Sequence, residues 1–98
     1  GLPSGDDVMS EKIGQTLKMR FKRASKRVQN LSSRPSNDLL LKLYALYKQA
    51  IEGDCVGRAR GGLRDRAKWK AWNAVSGTTE FDAMTKYCDF VDHLVNME

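Results

Sequence analysis

Histidine, proline and cysteine are scarce in this chain, and one long stretch contains no acid. His93 is the single histidine, and Cys55 and Cys88 are the two cysteines among 98 residues. Metal ligation needs more Cys or His than this, so no metal centre is expected. The cysteines stand far apart without CxxC spacing and read as free thiols in a reducing compartment. No apolar run approaches the ~18 residues of a membrane span. The first residues hold no signal-peptide core, and Gly5 stands where a myristoylation signal after Gly1 would need Ser or Thr. Period-two alternation and internal repeats are both missing, which argues against strands and solenoids. The glycines of residues 54–63 lack the GxxxxGK[ST] spacing of a phosphate-cradling loop.

Acid is absent between Lys12 and Asn37, where Lys12, Lys18, Arg20, Lys22, Arg23, Lys26, Arg27 and Arg34 all fall. A second basic run holds Arg58, Arg60, Arg64, Arg66, Lys68 and Lys70 against Asp65 alone. The last segment reverses sign, with Glu80, Asp82, Asp89, Asp92 and Glu98 against Lys86. The net charge is +5. Charge of one sign concentrates anions near a surface. Nucleic acid, anionic lipid and phosphorylated metabolites are all compatible with it.

Helical periodicity is what the chain does contain. Phe21, Ala24, Val28 and Leu31 form one apolar stripe over Leu17–Leu31, and Pro35 ends that helix through its effect on the preceding residue. Ser36 or Asn37 caps a second helix running to about Glu52, with Leu39, Leu40, Leu43, Leu46, Ala50 and Ile51 on its apolar face. Gly53 closes it. A third helix covers about Arg64–Val75. Thr79 caps a fourth that reaches about Val95, with Phe81, Met84, Cys88 and Val91 inward and Tyr87 beside them. Residues 1–16 read as a flexible extension and 17–98 as one all-α domain.

Two stretches carry chemistry. In Lys68-Trp69-Lys70-Ala71-Trp72-Asn73 the indoles share a helix face and cations flank the first. In Leu43-Tyr44-Ala45-Leu46-Tyr47-Lys48-Gln49-Ala50 the residues Tyr44, Tyr47 and Lys48 share another face. Rings beside ammonium groups can stack on a base and pair with phosphate, which suits a nucleotide-bearing ligand. Taken alone, Trp69 and Trp72 read first as core, and the arginine run reads as a solvated face.

Taken in order, Tyr44-Ala45-Leu46-Tyr47-Lys48-Gln49-Ala50, Gly53-Asp54, Ala67-Lys68-Trp69-Lys70-Ala71-Trp72-Asn73, Asp82-Ala83-Met84 and Tyr87 resemble the acyl-CoA-binding protein family. The resemblance spans about Phe21 to Leu94. It implies a skewed up-down-down-up four-helix bundle that binds, buffers and transports medium- to long-chain acyl-CoA esters without transforming them. The implied protein is a cytoplasmic monomer and not an enzyme. It needs no cofactor and serves acyl-CoA-using enzymes, with no nucleic acid partner and at most transient membrane contact.

By the same resemblance Tyr47 stacks on adenine, Tyr44, Lys48 and Tyr87 grip the CoA head, and Lys68 closes over the ligand. Ser25, Val28, Leu40 and Leu41 correspond to positions along the acyl groove. Two features depart from the family pattern. Gln29 replaces a lysine, and the 54–63 loop is shorter, with Gly61-Gly62 where Pro-Gly is common. The alternative reading is a basic helical module for nucleic acid or an anionic membrane surface, although no recognised DNA- or RNA-binding signature accompanies the charge.

Overall fold

The computed structural model describes the backbone of residues 5–97, with side chains from Thr16 onward. Four helices follow one another: α1 (Gly5–Gln29), α2 (Asn37–Glu52), α3 (Leu63–Ala74) and α4 (Glu80–Asn96). No strand occurs among the described residues. α4 lies against both α1 and α2, and α3 lies against α2.

The helix ends follow local chemistry. Ser36 Oγ accepts the Leu39 N–H at 3.3 Å and starts α2. Thr79 Oγ1 accepts the Asp82 N–H at 3.1 Å and starts α4. Each cap satisfies a donor that the first helical turn leaves open. Gly53 adopts a φ of 81°, a conformation that favours glycine, and its N–H returns to Gln49 O at 3.2 Å.

α1 is longer than the sequence reading, which starts it at Leu17. Helical backbone begins at Gly5. Gly14 weakens a helix by about 1 kcal/mol relative to alanine, and a helix already nucleated continues through a single weak position. Residues 1–4 of the expected flexible extension lie outside the described residues.

The core joins Phe21 and Ala24 of α1, Leu43 and Ala50 of α2, and six residues of α4: Ala83, Met84, Tyr87, Cys88, Val91 and Leu94. α3 contributes no fully buried residue. Tyr87 lies within the α4 stripe and not beside it, at 4% exposure. The ladders 83–87–91 and 84–88 run side by side on that face. Phe81, in the first turn, is left half exposed, as is Ile51 near the end of α2.

The charge asymmetry has a structural use. Arg20 reaches Asp89 at 3.1 Å and Asp92 at 2.6 Å, and Arg27 reaches Asp92 at 3.1 Å. The acid-free stretch of α1 therefore meets the acidic α4. Each exposed pair is worth at most about 1 kcal/mol, so the clasp sets alignment more than stability.

Candidate functional site

α2 organises the site because it alone touches both α3 and α4 while presenting Tyr44, Tyr47 and Lys48 at helical spacing. Between its N-terminal half and α3 lies a cavity of about 470 Å³. Leu40, Leu41 and Tyr44 line it from α2, and Leu63, Arg64, Ala67 and Lys68 line it from α3. Arg34 and Asn37 complete the wall, joined by a 3.2 Å hydrogen bond from Arg34 Nη2 to Asn37 Oδ1. The walls are aliphatic and aromatic, with cations among them. Lys68 Nζ stands 5.2 Å from the centre of the Tyr44 ring, a cation–π contact.

On the neighbouring side of α2 three rings meet. Phe21 stacks on Tyr47 with centroids 5.5 Å apart and planes inclined by 18°. Tyr87 meets Phe21 at 5.0 Å and Tyr47 at 6.1 Å, tilted against both. Phe21 and Tyr87 are buried, whereas Tyr47 keeps 37% of its surface exposed. The cluster thus holds one ring fixed from behind and open to a partner. Burial pushes the Tyr87 hydroxyl up to about 12, so it remains a neutral phenol at neutral pH.

Lys48 lies at the far end of this face. Its Nζ pairs with Glu52 Oε2 at 2.8 Å and stands 5.3 Å from the centre of the Trp72 ring. The bond to Glu52 raises the Lys48 pKa. Trp72 is itself fixed, since Nε1 donates to Gly53 O at 2.8 Å.

The signature residues Gln49 and Asp54 are scaffold. Gln49 is 1% exposed, and its Nε2 donates to Asp54 Oδ1 at 2.7 Å and Thr78 O at 2.8 Å. Asp54 Oδ1 also accepts the Gly77 N–H at 2.8 Å. That backbone bond, with the one from Gln49, lowers the Asp54 pKa. The end of α2 is tied in this way to the turn between α3 and α4. Gln49 Oε1 and Trp69 Nε1 are buried without a hydrogen-bond partner.

Of the residues expected at the ligand, Leu40, Leu41, Tyr44 and Lys68 share the cavity. Tyr47 and Tyr87 join through the ring cluster, and Lys48 stands apart with Glu52 and Trp72. Ser25 and Val28 are not part of the cavity wall. Ser25 Oγ donates to Lys22 O at 2.8 Å, and Val28 packs on the core. Gln29 is the exposed last residue of α1.

Phe21 appears in the sequence only as a stripe residue, yet it backs Tyr47. Leu63, Arg64 and Ala67 were legible in principle, because with Lys68 they follow the i, i+1, i+4, i+5 spacing of one helix face. Arg34 and Asn37 carry no such signal, since a loop and a helix start bring them to α3.

A four-helix bundle with a cleft between two helices, apolar in its walls and cationic among them, defines an all-α ligand-binding module. The family model described as Acyl CoA binding protein matches residues 18–91. The chain is 43% identical over 77 residues to "Acyl-CoA-binding protein" of Saccharomyces cerevisiae, covering 76% of this chain and 88% of that one. It is 44% identical over 79 residues to "Acyl-CoA-binding protein homolog" of Drosophila melanogaster, covering 78% and 91%. The crystal structure of Oryza sativa Acyl-CoA-Binding Protein 2 matches with a TM-score of 0.78 at 36% identity, over 83% of this chain and 92% of that one. The chain belongs to the acyl-CoA-binding protein family, and its four-helix architecture is the one it shares with the rice protein.

Proposed function

We propose that this protein binds medium- to long-chain fatty acyl-CoA esters, buffers them and carries them within the cell without transforming them. The observation that supports this best is the cleft, where Leu40, Leu41, Leu63 and Ala67 lie beside Arg34, Arg64 and Lys68. An amphipathic anion needs both surfaces, the first for its tail and the second for its phosphates. Tyr47, backed by Phe21, takes the adenine. Tyr44, Lys48, Lys68 and Tyr87 grip the head group, and Leu40 and Leu41 hold the chain, with Ser25 and Val28 as more peripheral contacts.

The reading is non-catalytic. Cys88 is buried at 0% exposure, and burial raises the pKa of its thiol, which disfavours the nucleophilic thiolate. The protein acts as a cytoplasmic monomer that passes the ester to acyl-CoA-using enzymes and needs no cofactor. Membrane contact is at most transient. The rival nucleic-acid reading rested on unopposed cations in residues 12–37, and Arg20 and Arg27 there are engaged by α4.

Calorimetric titration with palmitoyl-CoA and free CoA tests the proposal. Palmitoyl-CoA should bind far more tightly than free CoA, and Tyr47→Ala should weaken both while leaving the domain folded. Absence of palmitoyl-CoA binding by folded protein would refute the reading.

A further inference from the structure

We infer that Glu52 is a built-in competitor for the phosphate of the ligand, holding Lys48 in the empty protein and setting affinity from below. The inference rests on the acyl-CoA reading and concerns the same site. Of the residues assigned to the ligand, Lys48 alone makes an ion pair among the described residues, with Glu52 Oε2 at 2.8 Å. An ammonium placed to meet phosphate thus already meets a carboxylate, and the ligand has to displace it.

Helix stability does not account for this carboxylate. Glu52 is the last residue of α2, and no basic residue occupies that turn. A negative charge there opposes the helix dipole. The order lysine then glutamate at i, i+4 is also the less favourable one. Nor does Glu52 support the loop, whose polar bonds run through Gln49, Asp54 and Trp72. Among the described residues its polar partner is Lys48.

Trp72 completes the arrangement. Its ring lies under Lys48 Nζ at 5.3 Å and is pinned by the bond to Gly53 O. The ammonium therefore contacts both a carboxylate and an indole. Lys68 is parked differently, over the Tyr44 ring of the cleft, with no carboxylate at ion-pair distance among the described residues. The two lysines of the site thus answer the ligand unequally, since one exchanges a counter-charge and the other only gains one.

Glu52→Gln tests this by titration with palmitoyl-CoA at low salt. The variant keeps the shape of the side chain and removes its charge. The expected result is about two- to fivefold tighter binding, the size of effect that one exposed ion pair supports. In a Lys48→Ala background the same substitution should give no gain, because the interaction it relieves is already gone. The melting temperature of Glu52→Gln should equal or exceed that of the parent, since the dipole favours the change. Unchanged or weaker binding by Glu52→Gln, in a parent that binds palmitoyl-CoA, would overturn the inference and leave the carrier reading intact. A gain that persists without Lys48 would overturn it as well, by assigning the effect to the general field. If neither protein binds palmitoyl-CoA, both readings fall together.

Discussion

Tyr87 meets two demands with one side chain. Its ring belongs to the core at 4% exposure, and it touches both Phe21 and Tyr47, the ring with an open face. Burial favours the neutral phenol and raises its pKa to about 12, from an unfolded value near 10. A folded pKa above the unfolded one contributes stability that is complete below about pH 10 and is lost as pH rises towards about 12. Spectrophotometric titration of tyrosinate should therefore show one of the three tyrosines ionising late, near 12. Tyr87→Phe should delete that late step. A titration in which it persists would assign the buried phenol elsewhere.

Gln49 makes the companion case for a signature residue that serves the scaffold. It is fully buried and bridges Asp54 to Thr78 O. Truncation to alanine removes two hydrogen bonds and leaves a void. The expected loss is about 2–4 kcal/mol, visible as a lower urea midpoint. Sequence alone joined Gln49 to Tyr47 and Lys48 as one motif, because neighbouring letters do not reveal which side chains turn inward.

Helix ends were the most legible elements, because caps are local chemistry. Ser36, Gly53 and Thr79 each act as their residue types suggest, through a hydroxyl acceptor or a positive φ. The start of α1 was not legible, since Gly14 and Thr16 weaken the helical pattern there, yet continuing a helix already formed costs little. The inward face of α4 was displaced in the reading for a different reason. Phe81 looks like core by hydropathy, but it lies half exposed in the first turn while Ala83 and Tyr87 are buried, and hydropathy alone does not show which side turns inward. The cap makes a clean test at this scale. Thr79→Ala should destabilise the domain by about 1 kcal/mol, which in a domain this small lowers the melting temperature by about 4–8 °C. Thr79→Ser should recover most of it, because the hydroxyl is what accepts the Asp82 N–H.

At the scale of the whole molecule, the charge distribution divides into two uses that composition could not separate. In the α1–α4 clasp, cations of the acid-free stretch meet carboxylates; around the cleft, Arg34, Arg64 and Lys68 have none at ion-pair distance among the described residues. The cleft itself was only partly legible, since Leu40, Leu41, Tyr44 and Lys68 could be named but their meeting depends on how α3 lies against α2. This separation gives affinity two independent components. Each acyl methylene taken from water contributes no more than about 0.8 kcal/mol, close to a fourfold gain in affinity. That gain is non-ionic and should be insensitive to modest salt. The head-group component is ionic and should weaken as the Debye length falls from about 10 Å at 0.1 M salt to about 3 Å at 1 M. Titrations with hexanoyl-, octanoyl-, decanoyl- and palmitoyl-CoA at two salt concentrations should give parallel lines of binding free energy against chain length. Salt should displace the whole line toward weaker binding without changing its slope. The slope should flatten where the chain outgrows the cleft. Lys68→Ala should reduce the displacement between the lines and keep the slope. A slope that itself changes with salt would mean that the chain lies against the cations and not against Leu40, Leu41 and Leu63.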